Sequence, residues 1–167
     1  MNKVKHNTGN NEWHTPPEII EVARKVLGAI DLDPASNAKA NEIVKAFQYY
    51  TKEDDGLSKD WFGNVWLNPP YSRNLILPFA EKVVEEIESD AVKQILVLVN
   101  NSTETKAFQY LANNCDGMCL VKGRIKFLDS DNNPSNKPLQ GQAIFYFGDN
   151  YDRFDPHFSS LGVVVHW

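Results

Sequence analysis

A chain of 167 residues is the length of one domain, and with 42% hydrophobic and 23% charged residues it is neither disordered nor collagen-like. Its 17 Lys+Arg against 22 Asp+Glu leave a net charge of −5. That excludes a protein holding nucleic acid mainly by bulk positive charge, so any contact with DNA has to be local or transient.

In chain order, residues 1–11 are polar and Asn-rich and read as a flexible tail, followed by one domain over 12–167. Thr15-Pro16-Pro17-Glu18 has the pattern of a capping box with Pro16 at the first helical position, opening a helix EIIEVARKVL that stops at Gly28. A short strand at 29–33 is halted by Pro34. A helix at 38–46 and an aromatic strand at 47–51 come next, then the acidic turn KEDDG. The strand 64–67 ends abruptly at Asn68-Pro69-Pro70-Tyr71, after which Ile76, Phe79, Ala80, Val83 and Ile87 recur at helical spacing. Residues 94–99, QILVLV, have no polar break and predict a strand covered on both faces.

Helix is predicted at 105–113, strands at 118–121 and 124–128, a loop at 129–142, a strand at 143–147 and a short helix or strand over 158–165. Cys115 and Cys119 have no second pair nearby to complete a zinc site and read as small reduced side chains of the core. No apolar run approaches the ~18–20 residues that cross a bilayer. The N-terminal MNKVKHNTGNNEWH lacks the apolar stretch of a secretory signal, so an intracellular protein with no membrane partner is expected.

Strands alternating with helices predict an α/β sheet, mostly parallel, with an antiparallel C-terminal hairpin where the helices thin out. Ligands of open α/β sheets bind beyond the carboxyl ends of the strands. Asp33, the turn at 53–57 and Asn68 are the polar interruptions at those ends.

Asn68-Pro69-Pro70-Tyr71 carries the most chemistry. Two prolines remove two backbone donors and hold the loop extended, so the Pro69 carbonyl is expected to lack a ladder partner and to stand beside the Asn68 side-chain carbonyl. Two fixed acceptors suit a planar amino group. The exocyclic nitrogen of adenine is a poor nucleophile because its lone pair is delocalised into the ring. Acceptors drawing its hydrogens out of plane favour a tetrahedral nitrogen with the lone pair aimed at an electrophile. Tyr71 offers a face for the base, which has to leave the duplex to reach it. The competing reading is a rigid Pro-Pro turn with an Asn cap and a core tyrosine.

The ordered segments EWHTPPEII, IDLDPAS, YYT followed by EDDGL, VWLNPPYS, ILVLV, GRIKF and IFYFG together resemble the phage-type DNA N6-adenine methyltransferases, the phage Dam family, from Glu12 to about Gly148. The resemblance implies a shortened Rossmann-like class I methyltransferase sheet using S-adenosylmethionine. It also implies a DNA partner and a place of action in the cytoplasm of a bacterial host. Asn68, Pro69, Pro70 and Tyr71 match the catalytic motif, in which the Asn and the first Pro carbonyl hold the target amine. Asp33, Pro34 and Ala35 match the acidic segment lying against the methyl donor. Thr15 and Pro16 match a pair flanking the donor's methionine moiety. Asp55 and Leu57 match an element near the donor's adenine, with Asp54 as the alternative acid. Carboxylates at these places suit a donor that carries a sulfonium and an ammonium, although Asp54 and Asp55 also read as plain solvated turn residues.

The departure is the missing Gly-x-Gly after the first strand, which leaves Ser36 or Asn37 to supply polar contacts to the donor. The short spacing from Asp33 to Asn68 predicts that a strand–helix unit is lost there. Trp13 and His14 read either as a hydrophobic staple or as contacts to donor or base, and Trp61 and Trp66 read as core. Arg73, Lys122, Arg124 and Lys126 are the candidates for phosphate contacts, against ordinary surface solvation. Direct transfer to adenine N6 calls for no metal and no covalent enzyme intermediate. Rival acceptors are cytosine N4 and a glutamine side-chain amide, and a third reading is a non-catalytic DNA-associated phage module. So short a chain leaves little room for a recognition domain, so specificity is either low or borrowed from a second subunit, as in a homodimer.

Overall fold

The apolar run at the middle of the chain becomes the middle of the sheet. In the computed structural model, which describes residues 13–136 and 140–167, strand β4 spans Val92–Asn100 and its residues Gln94 to Val99 are all buried. Alternate side chains serve two separate cores, Leu96 and Leu98 on one face and Ile95, Val97 and Val99 on the other. A strand covered on both faces needs no polar alternation, which is why its sequence has none. The tail expected at 1–11 lies outside the described residues.

Around β4 the elements run α1 (Pro17–Leu27), β1 (Leu32–Asp33), α2 (Ala38–Val44), β2 (Gln48–Tyr49), a 3-10 turn (Gly56–Ser58), β3 (Gly63–Leu67) and α3 (Ile76–Ile87). After β4 come α4 (Lys106–Asn114), β5 (Gly117–Val121), β6 (Gln142–Gly148), α5 (Tyr151–Phe158) and β7 (Gly162–His166). The seven strands lie in the order β2-β1-β3-β4-β6-β5-β7. β2, β1, β3 and β4 are parallel, whereas β6 on β4, β5 on β6 and β7 on β5 are antiparallel. The sheet is therefore mixed, and its antiparallel part is larger than the single hairpin expected.

The α1 face packs Ile20, Ala23 and Val26 against Trp66, Leu96 and Tyr146, and α5 adds Phe154 and Phe158. Tyr146 and Phe154 stack with centroids 5.1 Å apart, and Phe154 stacks on Phe158 at 4.7 Å. The opposite face buries Phe79 and Val83 of α3 and Phe108 and Leu111 of α4 against Val65, Leu67, Phe145 and Phe147. Each such side chain contributes about 1.5–3 kcal/mol by leaving water. Cys115 and Cys119 are buried thiols, Cys119 lying against the Phe158 carbonyl. No helix among the described residues is long and apolar enough to cross a membrane.

Three local expectations are corrected. Residues 124–128 do not form a strand: Leu128 makes only isolated antiparallel bridges, to His14 and to Pro134, while β5 pairs with β6 and β7 instead. Ile125 and Phe127 still bury their side chains, which accounts for the alternating pattern without a ladder. The capping box does not form. Pro16 is the N-cap with no side-chain cap, Pro17 takes the first helical position, and the Pro16 carbonyl accepts from Ile19 and Ile20 at 3.2 and 3.4 Å. The C-terminal stretch contains both a helix and a strand, α5 and β7, the helix starting seven residues earlier than position 158.

Candidate active site

The chain leaves β1 toward β2 on one side and eventually returns as β3 on the other, so the strand order reverses between β1 and β3. A crevice opens at such a reversal, beyond the carboxyl ends of the strands. Here it is a cavity of about 310 Å³. Its walls are the segment Trp13-His14-Thr15, the β1 exit Asp33–Asn37, the pair Thr51-Lys52 with Gly56, and the β3 exit Asn68–Tyr71, with Trp66 beneath.

At the β3 exit both polar atoms of the Asn68 side chain have partners. Its Nδ2 donates to the Trp13 carbonyl at 2.9 Å and to Thr15 Oγ1 at 3.2 Å. Its Oδ1 accepts from the Tyr71 hydroxyl at 2.7 Å, and that hydroxyl also lies 3.3 Å from the Leu98 carbonyl. Burial pushes the Tyr71 phenol well above its ordinary range, so it stays protonated and donates. Pro69 is buried and Pro70 half-buried, and neither has an N–H to divert.

The β1 exit is different. Asp33 is 3% exposed, and its Oδ1 accepts from the Ala35 amide at 3.3 Å. Burial raises its carboxyl from 3.8 to about 8, outweighing the Ala35 amide and the Ser36 hydroxyl, which pull the other way. Among the described residues no cationic side chain forms an ion pair with it. Asn37 caps α2 through Ala40 N at 2.9 Å. Gly56 presses the neighbouring turn against this exit so closely that a Cβ there would overlap the Pro34 carbonyl.

His14 ties the remaining wall together. Its ring lies 2.7 Å from Asn132 Oδ1 through Nδ1 and 3.3 Å from Asn37 Nδ2 through Nε2. Its backbone exchanges two 2.9 Å hydrogen bonds with Leu128. Trp66, which lines the cavity, is fully buried, and its indole Nε1 has no hydrogen-bond partner.

Of the residues singled out in the sequence, the structure brings Thr15, Asp33, Pro34, Ala35, Ser36, Asn68, Pro69, Pro70 and Tyr71 into one cavity wall. Pro16, Asp54, Asp55 and Leu57 are not part of it. The exposed Asp54 carboxylate accepts from the Thr51 amide and hydroxyl at 2.8 and 2.9 Å, and these bonds hold it below its ordinary range. Asp55 caps the 3-10 turn through Leu57 N, and Leu57 packs on the α3-side core. Arg73 is exposed on the turn after Tyr71, and Lys122, Arg124 and Lys126 are exposed beyond the end of β5. β5 runs in the direction of β4, so its end at Lys122 lies at the same end of the sheet as the β3 exit, and none of the four residues lines the cavity. Thr51, Lys52 and the indole of Trp66 were not legible as cavity residues: Thr51 reads as the end of an aromatic strand, Lys52 as turn, and a tryptophan within an apolar strand as core.

The cavity lies within the part of the chain that matches a known family. A family model described as DNA N-6-adenine-methyltransferase (Dam) matches residues 3–158. A DNA N-6-adenine-methyltransferase of Escherichia phage T1 is 38% identical over 93 residues, covering 54% of this chain and 37% of that protein. The chain thus spans little more than a third of that relative's length. The family match takes in every residue of the cavity wall and most of the chain, and the protein belongs to the Dam family of DNA N-6-adenine-methyltransferases.

Proposed function

We propose that the chain is an S-adenosylmethionine-dependent enzyme that methylates the N6 amine of a flipped-out adenine in DNA. One observation carries the reading: Asn68–Tyr71 and the buried Asp33 line the same cavity at the reversal of strand order. The strand order, with only a 3-10 turn between β2 and β3, fits a Rossmann-like methyltransferase sheet that has lost one strand–helix unit, and we read 12–167 as its single domain.

The residues present fit the methyl donor. A buried carboxylate with its pKa raised and no cationic partner favours a cationic ligand, and a buried indole N–H without an acceptor favours a polar one. When bound, S-adenosylmethionine supplies an electrophilic methyl group on a sulfonium. Asp33 would hold its positive charge. Pro34, Ala35 and Ser36 with Asn37 form the wall that a glycine loop otherwise provides, and Thr51-Lys52 close the far side. Asp54, Asp55 and Leu57 serve this site by shaping the turn that carries Gly56, and Pro16 by placing Thr15 at the head of α1.

On the acceptor side, Asn68 Oδ1 and the Pro69 carbonyl receive the two amine hydrogens and turn the nitrogen lone pair toward the donor, while Tyr71 packs on the base. The chain's contribution is orientation and fixed dipoles. Arg73, Lys122, Arg124 and Lys126 hold phosphates at the end of the sheet where the extruded base enters.

The test is transfer of labelled methyl from S-adenosylmethionine to unmethylated DNA of mixed sequence, followed by nucleoside analysis. N6-methyladenine is expected. N4-methylcytosine would change the acceptor, and donor binding with no transfer to DNA or protein would overturn the reading.

A further inference from the structure

An asparagine amide can sit in either of two flips that differ by a half-turn, and only one presents its oxygen to a substrate amine. We infer that the segment Trp13–Thr15 is a positioning element that locks the Asn68 amide in the working flip and makes asparagine, rather than aspartate, the functional residue at that place. The inference rests on the reading of Asn68 as the residue that grips the amine.

Both hydrogens of Asn68 Nδ2 are committed to this segment, one to the Trp13 carbonyl at 2.9 Å and one to Thr15 Oγ1 at 3.2 Å. In the opposite flip the Asn68 oxygen would face the Trp13 carbonyl oxygen, two acceptors with no hydrogen between them. Oδ1 is therefore held on the Tyr71 side. There the tyrosine hydroxyl occupies one lone pair and leaves the second for a substrate hydrogen. The segment itself is fixed: His14 exchanges two 2.9 Å backbone bonds with Leu128, and its ring is held by Asn132 and Asn37. The Thr15 hydroxyl, which the capping-box pattern assigned to the helix start, is used here instead.

A carboxylate in place of the amide would keep an acceptor for the substrate. It would, however, set an anion against the Trp13 carbonyl, which cannot donate. The Thr15 hydroxyl can turn to donate; the carbonyl has no such option. The acid form, with one O–H to give, restores the bond.

The experiment compares the parent with N68D, T15V and T15S in methyl-transfer kinetics, donor binding and NMR exchange of the Asn68 side-chain amide. N68D is expected to lose about 100-fold in kcat at neutral pH with donor affinity kept, as for a misplaced reacting group. Its activity relative to the parent should rise as pH is lowered. His14, Asp33, Lys52 and Tyr71, the titratable groups around Asn68 in the cavity wall, are common to both proteins and cancel in that ratio. T15V should lose about five-fold in kcat, with T15S restoring it, and the protected amide protons of the parent should exchange faster in T15V only. N68D at parental activity with a flat ratio would overturn the inference. So would a T15V effect confined to donor affinity, which would make Thr15 a donor ligand. If the parent methylates no DNA, the functional reading fails, and amide exchange in the parent, T15V and T15S still decides whether the lock exists.

Discussion

The two exits that build the cavity are finished to different degrees. At the end of β3, Asn68 has both amide hydrogens and one oxygen lone pair engaged, and the neighbouring prolines have no donors to spare. At the end of β1, Asp33 is as deeply buried as core leucines, accepts a long bond from the Ala35 amide, has no cationic partner among the described residues, and has a carboxyl pushed up to about 8 by burial that the Ala35 and Ser36 contacts do not offset. Preorganised dipoles act without reorganising when charge develops, so the acceptor side gains by being complete before substrate arrives. A site for a cation gains from the reverse. A buried carboxylate already neutralised by a lysine would have little left to offer a ligand.

Breaking the finished side has the largest effect. Asn68→Ala should lower transfer by at least about 10³-fold, the scale of losing a fixed transition-state partner, while equilibrium binding of the donor stays within about two-fold of the parent. Full turnover by that variant would remove Asn68 from the mechanism. Breaking the unfinished side acts on binding instead. Asp33→Ala should weaken the donor about 100-fold, as expected for a charge-assisted contact in a buried site, with kcat at saturating donor much less changed. Calorimetry and saturation kinetics separate the two patterns.

The asymmetry can be sharpened by pH. A carboxyl raised to about 8 is neutral at lower pH in the free protein, and only its ionised form attracts a cation. Donor affinity should therefore climb by up to about ten-fold per pH unit toward 8 and level off above it, with one proton released on binding. Stability runs the opposite way. Between the ordinary 3.8 and about 8 the unfolded chain loses the proton that the folded chain keeps, so stability contributed by Asp33 falls as pH rises through that window. Asp33→Asn should flatten the stability slope and abolish the proton release. Donor affinity that is level across the window would mean that the carboxylate does not meet the cation.

What sequence could reveal depended on whether the cause was local. β4 was legible because burial on both faces requires an unbroken apolar run, and the end of α1 because Gly28 adopts φ 81. Asn68-Pro69-Pro70-Tyr71 was legible because proline chemistry is intrinsic to the residue. The fate of the Thr15 hydroxyl was not, since its partner is 53 positions away and the N-cap is Pro16, which leaves Thr15 one residue ahead of the capping position. Residues 124–128 alternate like a strand because Ile125 and Phe127 are buried, but the ladder that would make them one is occupied by β6 and β7. Asp54 and Asp55 stand in an acidic turn that suits a ligand site and a self-satisfied loop equally, and only the Thr51 and Leu57 amides decide between them.

Trp66 yields the smallest effect and the finest distinction between the two exits. It lies on the face of β3 that carries Asn68, fully buried, with an indole N–H that no acceptor meets. A buried donor left unpaired costs about 1–3 kcal/mol, and phenylalanine removes that penalty while giving up part of the ring's apolar contact. The two terms oppose each other, so Trp66→Phe should shift the melting temperature by only a few degrees, less than a large-to-small core change. If the N–H is satisfied by the donor, the same variant should bind S-adenosylmethionine about five-fold more weakly, the worth of one neutral hydrogen bond. Affinity unchanged alongside a large loss of stability would make the indole a packing residue. The unfinished character of the cavity would then rest on Asp33 alone.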